Sequence, residues 1–73
     1  MEHEIVAPLA GKVLQLNIEA GAKVEEDDEA IIIEAMKMET PIFTPCNGTV
    51  KEIRVKEGDT VEEDDVLAII EEG

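Results

Sequence analysis

Serine, tryptophan and tyrosine are missing from the 73-residue sequence, and histidine, cysteine and phenylalanine occur once each, as His3, Cys46 and Phe43. Without serine, a Ser-His-Asp arrangement is excluded; with one histidine near the start, a Cys-His nucleophile is not expected. His3 reads as a lone exposed residue. A single cysteine excludes an internal disulfide and a CxxC metal site, and Cys46 reads as a buried or half-buried structural thiol. No glycine-rich phosphate loop is present. Basic residues are scarce, six against 19 Asp and Glu, and the net charge of −13 disfavours nucleic acid and anionic membrane surfaces. No apolar run approaches the ~20 residues of a membrane span, and no signal-peptide pattern opens the chain. A cytoplasmic protein without a membrane span is the expectation, one domain over 1–73.

The near-absence of aromatics leaves an aliphatic core of Ile, Val and Leu. The 44% hydrophobic content is too high for a disordered acidic tail. These residues are organised by an internal repeat. At a shift of 37 residues Ile5 falls on Ile42, Pro8 on Pro45, Gly11 on Gly48, Val13 on Val50 and Gly21 on Gly58. The acidic blocks Val24–Asp28 and Val61–Asp65 are identical, and Ile32-Ile33-Glu34 returns as Ile69-Ile70-Glu71. Lys37 is left over between the copies, at the junction of the duplication.

Each copy carries short, partly alternating apolar segments bounded by turn residues. Strands are expected over 4–6, 12–18, 30–34, 38–43, 49–55 and 66–71, with Val24 and Val61 as lone apolar residues before the acidic blocks. The segment 30–40 alone is ambiguous, because Glu, Ala, Met and Lys are good helix formers. Its repeat partner is short and β-branched, and Pro41 limits a helix. Two facing strands with Met36-Lys37 at the connecting turn are therefore expected. About four strands per copy predict an all-β sandwich or flattened barrel. Its pseudo-twofold symmetry should put the lysine at one end and the termini at the other. Gly11, Gly48, Gly21 and Gly58 are expected to supply close approach or positive φ.

The acidic blocks lack the spacing and central glycine of an EF-hand and read as solvated turns that also blunt strand edges. Asn47-Gly48-Thr49 fits a glycosylation sequon but reads more simply as a turn. Lys37 is different. It lies between Met36 and Met38, with Glu34 and Glu39 just outside, where Asn or Gly would be the ordinary hairpin choice. Two flexible apolar side chains at an exposed tip suit recognition by another protein.

Glu34-Ala35-Met36-Lys37-Met38-Glu39 resembles the attachment site of the biotinyl carrier domains of biotin-dependent carboxylases and decarboxylases. The likeness extends over the whole chain, through the Pro8–Gly11 turn, the Gly21 turn and the Pro45, Gly48 and Gly58 turns. It implies a flattened eight-strand barrel of two four-stranded antiparallel sheets, a barrel-sandwich hybrid. It also implies covalent biotin on Lys37, with Glu34, Ala35, Met36, Met38 and Glu39 read by ligase and partner enzymes. The implied partners are a biotin protein ligase, a biotin carboxylase and a carboxyltransferase or decarboxylase subunit. The implied domain is a non-catalytic carrier, monomeric alone, that moves carboxylate between partner sites while the cofactor supplies the chemistry. The copies align without a gap, which favours the type lacking an inserted thumb.

Two rivals have distinct signatures. A lipoyl carrier shares the barrel and the hairpin lysine but usually has Asp before the lysine and Ala after it. An acidic interaction module would leave Lys37 unmodified.

Overall fold

The computed structural model describes residues 1–72 and contains eight strands. These are β1 (Glu2–Val6), β2 (Gly11–Leu16), β3 (Lys23–Val24), β4 (Glu29–Ala35), β5 (Met38–Phe43), β6 (Gly48–Ile53), β7 (Thr60–Val61) and β8 (Val66–Glu71). They form two four-stranded antiparallel sheets, ordered β1-β8-β6-β3 and β5-β4-β2-β7. The expected eight-strand, two-sheet architecture is what the chain adopts. Val24 and Val61 are more than lone apolar residues: each lies in a two-residue strand that closes the opposite copy's sheet.

The repeat is carried into the register pair by pair. Glu2, His3, Glu4 and Ile5 face Glu71, Ile70, Ile69 and Ala68, and Glu39, Thr40, Pro41 and Ile42 face Glu34, Ile33, Ile32 and Ile31 in the same way. Lys12 faces Glu34 as Thr49 faces Glu71. Even the irregularities recur, with register shifts between Val13 and Gln15 and between Val50 and Glu52. The ladder resumes past each bulge, at Gln15–Leu16 and Glu52–Ile53, but falls short of the expected Ile18 and Val55. β2 and β6 stop at Leu16 and Ile53, and Ile18 leaves the ladder to bury its side chain.

Period-two alternation sends Ile31, Ile33 and Ala35 of β4 inward and leaves Glu34 outside. Ile31 and Ile33, with Ile5, Val13, Val50, Leu67 and Ile70, make the aliphatic core between the sheets, and Ala35 is also buried. Each fully buried side chain of this size contributes roughly 1.5–3 kcal/mol relative to exposure. The repeat is least strict inside. Ala30 matches Leu67 while Ile31 matches Ala68, so large and small side chains exchange places and all four are fully buried.

The acidic blocks are turns. Asp28 accepts a hydrogen bond from the Glu25 amide at 2.9 Å, and Asp65 accepts one from the Glu62 amide at 2.8 Å. Asp27 and Asp64 both have φ of 71°, a conformation aspartate tolerates better than most residues. Asn47 accepts from the Glu26 amide, which ties the second turn to the first acidic block.

The body measures 36 × 17 × 17 Å. Val6 at the end of β1 leads through four residues to Gly11, and Gly11 sits beside Glu34 and Ala35 at the end of β4. β1 therefore runs toward the Lys37 turn, and its start, paired with Glu71, lies at the far end. Lys37 lies at one end and Met1 and Glu72 at the other, as the symmetry predicted.

Candidate functional site

The turn between β4 and β5 contains two residues, Met36 and Lys37, with φ of 54° and 64°. A two-residue hairpin whose central residues both have positive φ matches the right-handed twist of its strands, but the preferred residues are Asn and Gly. Side chains longer than these cost about 1 kcal/mol or more each in this region. No packing explains the choice, because Met36 is 87% exposed and Lys37 is also exposed. Local strain held at an exposed tip points to use by something outside the chain.

The flanking residues divide into those that face outward and one that does not. Met38, at 69% exposure, opens β5 opposite Ala35, which ends β4 and is buried. Ala35 is the motif's only inward side chain. It closes the core below the turn, where a β-carbon on Gly11 would lie 3.2 Å from its own. Glu34 and Glu39 are directly opposite on the outer face, with Lys12 across from Glu34 on the other side. Like charges facing each other weaken a ladder, so this pair adds acidity at the tip at some cost to the strand pairing. All six residues predicted to form the site lie at one end of one hairpin.

Among the described residues, Lys37 takes part in no ion pair or side-chain hydrogen bond. Its amine projects from the body without a partner. Two surface hollows of the described residues lie elsewhere, one around Leu16, Ile18 and Glu29 and one around Glu25, Asn47 and Glu72. An exposed primary amine on a narrow turn fits a covalent tether for a carboxylic acid and does not fit a bound, enclosed cofactor.

At the other end one expectation is corrected. His3 is half-buried, not a lone exposed residue, and its Nε2 lies 2.9 Å from Glu72 Oε1. Cys46 is buried, as expected of a structural thiol. Burial, with the Glu72 and Glu26 carboxylates adding, pushes its thiol pKa up, the opposite of an activated nucleophile. Sequence reasoning missed the approach of His3 to Cys46, because it depends on the register of β1 on β8 and on the path of the 44–47 turn. No local motif signals it.

Residues 3–70 match the model of the biotin/lipoyl family described as "Biotin-requiring enzyme". The chain is similar to the gamma subunit of glutaconyl-CoA decarboxylase from Acidaminococcus fermentans, with 48% identity over 38 residues, 52% of this chain and 26% of that subunit. Its structure is similar to part of Kluyveromyces lactis urea carboxylase, with a TM-score of 0.89 and 34% identity over 96% of this chain. A single-chain, multi-domain long-chain acyl-CoA carboxylase gives a TM-score of 0.88 and 28% identity over 93% of this chain. The matched regions are 6% and 7% of those two carboxylases, so the chain spans a small part of each protein it resembles.

Proposed function

The chain belongs to the biotin/lipoyl family of biotin-requiring enzymes, and from that premise we propose that Lys37 is its point of biotin attachment and that the domain carries carboxyl groups between partner active sites. The observation that carries this reading is the turn itself. The residue left over by the duplication is an unpartnered, exposed lysine on a strained two-residue tip, at the far end of a rigid body.

Attachment forms an amide between Lys37 Nζ and the side-chain carboxyl of biotin. A biotin protein ligase presents that carboxyl as an acyl-adenylate; Nζ gives up a proton, the C–N bond forms and AMP leaves. A lysine amine is ordinarily protonated near neutral pH, and no general base approaches Lys37 among the described residues, so the ligase supplies the activation. When bound, biotin supplies a ring nitrogen that takes up and releases a carboxyl group.

The chain's own residues present the tether. Ala35 and Gly11 fix the base of the hairpin, and the left-handed turn keeps Nζ clear of both sheets. Met36 and Met38 offer adaptable apolar contact to the ligase and then to a biotin carboxylase and a carboxyltransferase or decarboxylase. Glu34 and Glu39 rim that contact with negative charge. Amide formation removes the only positive charge in 34–39 and leaves the tip more acidic.

Co-expression with a biotin protein ligase, followed by intact-mass measurement of the parent and of Lys37→Ala, tests the proposal. The parent should gain one biotinyl group and the variant none. A correctly folded parent that gains nothing, or a variant that is still labelled, overturns it.

A further inference from the structure

We propose that His3, Cys46 and Glu72 form a three-donor site for a divalent late first-row metal ion of the zinc type, at the end of the body opposite Lys37. The only histidine and the only cysteine of the sequence meet there, although 43 positions separate them. One donor atom from each of the three side chains lies within 4.8 Å of the other two, and His3 Nε2 is already 2.9 Å from Glu72 Oε1. Zinc bonds of about 2.0–2.3 Å hold tetrahedral donors roughly 3.3–3.8 Å apart, so closure needs a shift of about 1 Å. Glu72 is exposed and can re-aim its carboxylate, and the His3–Glu72 pair must open slightly from 2.9 Å as the widest pair closes.

The pseudo-twofold gives an internal comparison. The positions equivalent to His3, Cys46 and Glu72 are Thr40, Leu9 and Ala35, which lack imidazole, thiol and carboxylate. All three donors are departures from the repeat, and they converge on one spot. Imidazole with thiolate selects zinc, cobalt, nickel or copper over calcium and magnesium, which prefer all-oxygen sites. Three protein donors leave the fourth position to water. A bound cation takes the place of the Cys46 thiol proton. The ion would join β1, the 44–47 turn and the segment after β8.

The nineteen Asp and Glu residues will bind cations weakly anywhere, so cation affinity alone decides nothing. Cobalt(II) titration of the fully reduced chain reads the thiolate directly through its near-ultraviolet charge-transfer band. The parent should show this band saturating at one equivalent and displaced by zinc. Cys46→Ala should lose it. His3→Ala and Glu72→Gln, both altered toward the surface, should weaken it by at least roughly 10-fold, no less than a supporting outer-shell group contributes. Zinc should raise the thermal midpoint of the parent and not of His3→Ala. No thiolate band in the parent, or a band of unchanged affinity in both His3→Ala and Glu72→Gln, overturns the proposal. Lys37 labelling should be the same with and without zinc, so this test and the biotinylation test fail independently.

Discussion

Gly11 lies against the backbone carbonyl of Glu34, so close that a β-carbon on Gly11 would overlap that oxygen and the Ile33 side chain. Gly48 has the same relation to the carbonyl of Glu71. Backbone cannot yield as a side chain can. Gly11→Ala and Gly48→Ala should each cost about 1–3 kcal/mol in denaturant unfolding. Only Gly11→Ala touches the base of the Lys37 hairpin, so it alone should also slow biotinylation of the folded protein. Equal labelling rates in the two variants would sever the link between Gly11 and the tip.

The turn holds two non-glycine residues, Met36 and Lys37, at positive φ. Met36→Asn places a residue suited to positive φ at the first turn position and removes an 87% exposed side chain. It should stabilise the fold by about 0.5–1 kcal/mol, the scale of relieving one strained position. Biotinylation or later carboxyl transfer should nevertheless fall. A variant that is less stable, or equally active throughout, would contradict the reading of Met36 as a recognition residue.

Leu67 is fully buried where its repeat partner is Ala30. Leu67→Ala would leave alanine at both equivalent positions, with nothing to fill the space. The expected loss is about 2–5 kcal/mol. That is a large part of the roughly 4–11 kcal/mol total expected for a chain of this length. Calorimetry or denaturant unfolding measures it. A loss below about 1 kcal/mol would mean that the surrounding core collapses onto the site.

Lys51 pairs with Glu2 across the sheet that holds the termini. Hydrogen bonding and attraction to Lys51 hold the Glu2 carboxyl below the ordinary glutamate value, and Glu2 raises the Lys51 amine by the same means. A depressed carboxyl contributes stability above its unfolded value and loses it as pH falls through its folded value. A raised amine contributes below its unfolded value and loses it as pH rises through its folded value. The pair's contribution is therefore flat between the ordinary glutamate and lysine ranges and fades outside both. Both side chains are about half exposed, so the effect on stability is small. NMR titration gives the cleaner measure: Glu2 should return toward the ordinary value in Lys51→Ala and not in Lys12→Ala.

The fold was legible because the duplication resolves what either half leaves ambiguous. Residues 30–40 taken alone permit a helix, but Val66–Glu71 is too short and too β-branched for one, and symmetry extends the strand assignment to Ala30–Glu34. The duplication marked Lys37 as the residue without a repeat partner, while Glu34, Ala35, Met36, Met38 and Glu39 were picked out by the resemblance of their motif. Other features depend on distance in space and leave no local trace. Val24 and Val61 show their burial but not that each pairs with the other copy. The strand ends at Leu16 and Ile53 are not marked in the apolar pattern, which runs on to Ile18 and Val55. His3 and Cys46 carry no spacing that announces their meeting. Nor does the repeat reveal the exchange of sizes between Ala30 and Leu67 and between Ile31 and Ala68, since it aligns positions and not volumes.

Each sheet takes two strands from each half of the chain: β1 and β3 flank β8 and β6, and β5 and β7 flank β4 and β2. A half-length chain could close neither sheet by itself. Two such chains could close both, related by a twofold axis with the same surface used twice. The domain thus has the layout of a twofold dimer within one polypeptide. Cutting it at the tip should give two fragments that fold only as a pair. The linker is the one asymmetric point that a twofold dimer lacks, and it carries a single amine, so one molecule would offer one attachment point and not two.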